Sequence, residues 1–243
     1  MLFAFLCCLL LLGQGAYSDE YHVNTADELI QLSSKVNSGV TYKGTTIFLD
    51  ADINFSGSLS EQFEPIGTYS YDFQGTFDGQ GHIISNLEMK SSSQYAGLFG
   101  YTEGATIRNA VMGSSCYVVS SYSGLDNVYV GGAIGNCNSC TTENTVNMAN
   151  IAFTGSTNWY LHLGGIVGWL SASTDFDATV KNCARYGSVT HSVTTYSDAY
   201  IGGVVGHSKG SSLNKTYTCN CLSYGTITNN GSTARPYIGR IVG

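Results

Sequence analysis

Charge is scarce in this chain. Of 243 residues only 10 are Lys or Arg and 17 are Asp or Glu, 11% in all, where soluble domains carry about a quarter. With so few cations and a net charge of −7, nucleic acid is a poor partner, because phosphate binding needs clustered Lys and Arg. Anionic membrane surfaces are disfavoured for the same reason. Proline occurs only twice. After the first 12 residues no run is long and apolar enough to span a bilayer, which takes about 20 residues. H-E-x-x-H and H-x₃₋₅-H are missing, and Gly79 and Gly81 are not followed by the Lys-Ser/Thr of a phosphate loop. What is present is 43% hydrophobic and 12% aromatic residues with 30 glycines, enough to exclude disorder and without the strict glycine period of collagen. The surface must be polar through Ser, Thr, Asn and Tyr, which suits an extended β wall.

Met1 to Leu12 is an unbroken apolar run, followed by Gly13-Gln14-Gly15 and the small-residue pattern Ala16-Tyr17-Ser18 before the first charges at Asp19 and Glu20. This is the pattern of a secretory signal cleaved after Ser18, and it places the mature chain outside the cell or at its surface. Cys7 and Cys8 leave with the leader, and six cysteines remain: Cys116, Cys137, Cys140, Cys183, Cys219 and Cys221. An even number in an oxidising compartment favours disulfides over a metal site, since Cys137-x-x-Cys140 lacks a second pair at zinc spacing and Cys219-x-Cys221 does not supply one. No metal or other cofactor is expected. Sequons at Asn54, Asn214 and Asn230 are candidate glycosylation sites.

Internal repetition carries the fold. Gly97-Leu98-Phe99-Gly100 returns as Gly132-Ala133-Ile134-Gly135, Gly165-Ile166-Val167-Gly168 and Gly203-Val204-Val205-Gly206, with Arg240-Ile241-Val242-Gly243 last; the final glycines are 35, 33, 38 and 37 residues apart. A second block repeats between them: Asn182-Cys183-Ala184-Arg185-Tyr186-Gly187 matches Asn220-Cys221-Leu222-Ser223-Tyr224-Gly225, each Asn 14 residues after its glycine block. Such a period with β patterning predicts stacked coils, each burying its apolar side against its neighbours. The glycine blocks are expected at tight bends along a common edge. Ahead of the repeats, Thr25-Ala26-Asp27-Glu28 is a capping box, with Leu29, Leu32 and Val36 on one helical face and Gly39 ending the run. The expected helix would cover the open end of the stack. Ile47, Leu49, Ala51, Ile53 and Phe55 then alternate with polar or outward residues as one strand, with Asp50 and Asp52 pointing outward.

The stretches Pro65-Ile66-Gly67, Phe73-Gln74-Gly75-Thr76-Phe77-Asp78-Gly79-Gln80-Gly81-His82, Ile83-Ile84-Ser85-Asn86-Leu87, Gly97-Leu98-Phe99-Gly100 and Ile107-Arg108-Asn109 resemble the start of GLUG-repeat proteins. The resemblance runs over residues 20 to 243, with Ala133 and Arg240 departing from the usual pattern. It implies an all-β, right-handed parallel β-helix with a short N-terminal capping helix, in a secreted or surface adhesin-like molecule. The organisation expected is a leader over 1–18, cap helix and first strands over 19–60, and GLUG-type repeats over 61–243, cut short at the C-terminus. A solenoid ending at such a glycine block has no cap, so self-association through that end is expected. Some bacterial immunoglobulin-cleaving proteases carry the same repeats beside a zinc-protease domain, but without H-E-x-x-H that activity is not carried over.

Candidate chemistry is thin. Asp50 with Asp52, Asp72 with Asp78, and Asp175 with Asp177 are the close carboxylate pairs for glycoside cleavage, and His82 is a weak general base. The 17 tyrosines offer rigid amphipathic contacts, with Tyr186 over Tyr224 as an expected ladder. The chain therefore reads as a non-catalytic interaction module binding a glycan or an extracellular protein along its wall, with a polysaccharide-acting enzyme as the alternative.

Overall fold

In a computed structural model, residues 19–56 and 63–243 are described; the leader expected over 1–18 lies outside the described residues. Apart from the helix Ala26–Val36, the described elements are short strands, which stack in parallel into walls. The chain is a parallel β-solenoid.

Five walls, with a two-stranded ladder of Ser123–Gly124 and Ser156–Thr157 between the third and fourth, wind around one core. The first runs Asp19–Val23, Thr45–Leu49, Thr76–Asp78, Thr106–Arg108, Thr141–Glu143, Ala178–Lys181 and Thr216–Cys219. The second begins at Ile53–Asn54 and ends at Leu222–Ser223; the third runs from Glu88–Ser91 to Ile227–Asn229. The fourth holds Tyr95–Ala96, Val128–Gly131, Leu161–Gly164, Asp198–Gly202 and Arg235–Gly239, and the fifth Phe99–Glu103, Ile134–Asn138, Val167–Ser171 and Val205–Lys209. Alternation decides which side chains enter the core: in the fourth wall Val128 and Val130, Leu161 and Leu163, then Ala199 and Ile201 are fully buried while the residues between them face outward.

The corner between first and second walls explains the recurrent Asn. Gln80, Asn109, Asn144, Asn182 and Asn220 all adopt a left-handed backbone with φ of 50–54°, which Asn tolerates better than most residues because its short side chain bonds locally. Here the amides bond along the stack, Asn144 Nδ2 donating to Asn109 Oδ1 at 3.3 Å, Asn182 Nδ2 to Asn144 Oδ1 at 3.3 Å and Asn220 Nδ2 to Asn182 Oδ1 at 2.6 Å.

The helix forms where the capping box places it. Thr25 Oγ1 accepts from Glu28 N and Glu28 Oε2 accepts from Thr25 N, both at 3.2 Å. Leu29, Leu32 and Val36 join the continuous core, and Ser33 Oγ and Asn37 Nδ2 donate to the carbonyls of Glu64 and Pro65. The single strand expected over Ile47–Phe55 is two, Thr45–Leu49 and Ile53–Asn54. The chain turns a corner at Asp50–Asp52, where the carboxylates accept hydrogen bonds from the next coil, Asp50 from Gln80 Nε2 and Asp52 from Ile83 N. Alternation continues through that corner, so periodicity alone does not show the break.

Candidate binding seam on the outer wall

Each glycine block is the bend that carries the chain from fourth wall to fifth, on a common edge as expected. Glycine is required there by what lies inside. A Cβ on Gly132 would strike the Asn147 amide, one on Gly165 would sit 2.6 Å from Arg185 Cγ, and one on Gly203 would strike Ser223 Oγ. These three polar residues form one interior column with Ile53, Ile84 and Met112. Asn147 Nδ2 donates to Gly165 O at 2.9 Å, and Arg185 Nε to Gly203 O at 3.0 Å. Arg185, fully buried, has no carboxylate; its remaining donors reach Gly187 O, Thr226 O and Ser223 Oγ. Carbonyl dipoles thus take the place of a counter-ion.

Outside the same bends the two walls meet in an aromatic seam. The outward residues of the fourth wall are Tyr95, Tyr129, His162, Tyr200 and Tyr237, in register from coil to coil. Their rings stack with centroids 5.2, 5.1, 5.3 and 4.8 Å apart and planes within 16°. Facing them, the fifth wall presents Tyr101, Asn136, Trp169 and His207. Tyr101 meets Tyr95 at 88°, and Trp169 meets His162 at 69° and His207 at 78°. Such edge-to-face contacts suit the ring quadrupoles. The seam is deep in the middle, where His162 is 1% exposed, and open at its rim, where Trp159 is 54%, Tyr69 73% and Tyr237 40% exposed. Asn127 ties the rim together: its Nδ2 donates to Tyr129 Oη and its Oδ1 accepts from Tyr160 N, both at 3.1 Å.

Burial keeps this seam uncharged. Burial, and then Glu103, push the Tyr101 phenol up to about 12, while burial raises Tyr95 and Tyr129. Burial, and then His207, hold His162 well below the usual histidine value, and neither of its ring nitrogens has a partner. Burial, then Lys209, lowers His207 as well. The phenols therefore remain donors around neutral pH, beside aromatic surface and amide groups.

The residues singled out by sequence lie elsewhere. The carboxylates are engaged in turns: Asp50 with His22 and Gln80, Asp52 with His82 and Ile83 N, Asp72 with Gln74, and Asp177 with Lys215 N. Burial works to raise Asp78, but hydrogen bonds from Asn109, Gln80 N and Arg108 outweigh it and hold the carboxyl below its ordinary value. Asp52 is lowered by the Ile83 amide and then His82. Both are thus kept ionised, the opposite of what a general acid needs. Asn54 and Asn230 are exposed, whereas Asn214 is half-buried and its amide donates to Ser173 O. Cys137 and Cys140 form a disulfide with Cα atoms 5.7 Å apart; Cys116 and Cys183 are buried thiols, Cys219 exposed and Cys221 half-buried. No group of three or more His, Cys, Asp or Glu is placed to hold a metal ion among the described residues. Tyr186 and Tyr224 lie over one another as expected, but exposed and tilted by 47° at 6.2 Å. The longer ladder is hidden in the sequence because its rungs do not repeat one residue type and one of them is a histidine.

No family model matches the chain. Halomucin of Haloquadratum walsbyi is 30% identical over 166 residues, 64% of this chain but 2% of halomucin, so the chain spans a small fraction of that relative. A crystal structure of a proposed immunoglobulin A1 protease from Bacteroides ovatus matches with a TM-score of 0.51 at 20% identity, covering 89% of this chain and 69% of that one. At that identity the likeness is one of fold.

Proposed function

We propose that the chain is a non-catalytic, GLUG-type extracellular interaction module that binds a neutral glycan along the outer aromatic seam. The observation that carries this reading is the placement of aromatics at outward positions of two adjoining walls. In the first wall the matching column is mostly threonine, running Glu20, Thr46, Thr76, Thr106, Thr141, Thr179 and Tyr217. The seam instead combines ring surface, protonated phenols and the Asn127 and Asn136 amides, the mixture by which sugars are held through C–H faces and hydroxyls. A chain of net charge −7 with 10 cations favours an uncharged glycan over a polyanionic one. The leader-like first 18 residues and the likeness to halomucin support a place outside the cell or at its surface. No helix among the described residues is long and apolar enough to cross a membrane.

A glycan panel tests this reading with two readouts, retention of ligand and release of reducing ends or unsaturated products. Binding without product, weakened by Trp159→Ala and Tyr237→Ala, is the expected result. Product release would replace the module by an enzyme, and binding untouched by both variants would move the site off the seam. Retention of an extracellular protein with silence on the glycan panel would overturn the choice of ligand.

A further inference from the structure

We propose that Cys183 and Cys221 are a dithiol that closes, on meeting a disulfide oxidant, into a covalent staple between the last two described coils. Strand register brings the two cysteines together. Lys181 pairs with Cys219 and Ala184 with Leu222, so Cys183 lies over Cys221 at the corner between first and second walls. Strand neighbours about 4.8 Å apart fall inside the Cα separation of about 4.4–6.8 Å that a disulfide spans. The two side chains occupy the same pose one coil apart. Cys183 Sγ donates to Lys181 O and Cys221 Sγ to Cys219 O, each at 3.2 Å, and each sulfur also lies 3.7 Å from a carbonyl of the preceding coil. The preceding coil has Thr145 at this position with the same bond, Oγ1 to Glu143 O.

Cys219 is removed from the pairing by alternation. It stands opposite Lys181 on the exposed face of the first wall, whereas Val180 and Cys183 are buried. The two stacked thiols also divide the labour of exchange. The contact between the two sulfurs lowers Cys221 and, together with burial, raises Cys183. Cys221, half-buried, is the sulfur an oxidant reaches as thiolate.

The step balances with a small-molecule disulfide such as oxidised glutathione. Cys221 thiolate attacks one sulfur of that disulfide, forming a mixed disulfide and releasing one thiolate. Cys183 then attacks Cys221 Sγ, its thiol proton passes to solvent, and the second glutathione leaves as thiolate. Two electrons pass from the protein dithiol to the oxidant, and one protein disulfide replaces one glutathione disulfide.

The test is peptide mapping of the full chain under non-reducing conditions after incubation with oxidised glutathione, with hydrogen exchange of the coil from Thr216 to Gly239 as a second readout. A Cys183–Cys221 linked peptide, with exchange of that coil slowed relative to the reduced protein, is expected. Cys219→Ser should leave both results unchanged, and Cys221→Ser should remove both. Recovery of Cys183 and Cys221 as free thiols, or fragment ions that place the link at Cys219 instead of Cys221, would overturn the proposal.

Discussion

Acid should unfold this protein through His162. In the folded chain its imidazole is 1% exposed, packed among Tyr129, Tyr160, Trp169, Tyr200 and His207, with neither nitrogen partnered. No carboxylate is among those neighbours, and His207 beside it can only add positive charge. The folded chain therefore resists the proton, while an unfolded histidine takes it near pH 6.5. Stability from this group is fully present above pH 6.5 and is lost as pH falls below it toward the depressed folded value, because there the unfolded state binds more protons. One group contributes up to about 1.4 kcal/mol per pH unit across that window. Urea unfolding at several pH values measures this directly. His162→Phe keeps an aromatic rung, removes the orphaned nitrogens and should flatten the acid limb. His207 and His191 are also lowered, mainly by burial, so some slope should survive in the variant. A wild-type midpoint unchanged from pH 7 to 4.5, or an acid limb equally steep in His162→Phe, would refute the reasoning.

Gly165→Ala places a methyl group against Gly203 O and 2.6 Å from Arg185 Cγ, and should cost about 1–3 kcal/mol by thermal or urea unfolding. Thr25→Ala breaks the capping box of the helix Ala26–Val36 and should cost about 1 kcal/mol. Arg185→Ala strips three carbonyls and Ser223 of their donor and opens an interior void; a loss of about 2–5 kcal/mol is expected by urea unfolding. Closing the Cys183–Cys221 loop, 38 residues apart in sequence, should stabilise the oxidised form by up to about 4 kcal/mol on loop-entropy grounds, read as the difference between unfolding curves with and without reductant.

The solenoid was legible because its two loudest signals are backbone requirements. Gly at 132, 165 and 203 answers to interior side chains, and Asn at 109, 144, 182 and 220 to a left-handed corner, so both recur whatever else varies. The capping box was legible for the same local reason. The seam was not, since an outward rung is required only to stack on its neighbours. Tyr, His and Tyr satisfy that equally well at positions 129, 162 and 200, and no identity repeats for the eye to find. Nor does spacing alone show that Asn147, Arg185 and Ser223 face inward, because each stands in a strand of two residues where alternation has no room to declare itself.

That interior column makes the coils distinguishable from within. Where Ile84 and Met112 line the core, neighbouring coils meet through interchangeable apolar surfaces. From Asn147 onward the coils carry specific demands: Asn147 donates to Gly165 O and Arg185 to Gly203 O across their own coils, and Arg185 also needs Thr226 O and a small hydroxyl at Ser223 from the coil that follows. Duplicating or transposing the coil that carries Arg185 would set one guanidinium against another in a space built for serine. Unlike consensus repeat arrays, whose units can be shuffled or multiplied at will, this stretch admits one order of assembly. Recombination between its repeats, natural or engineered, should succeed on the Met112 side of the stack and fail on the Arg185 side.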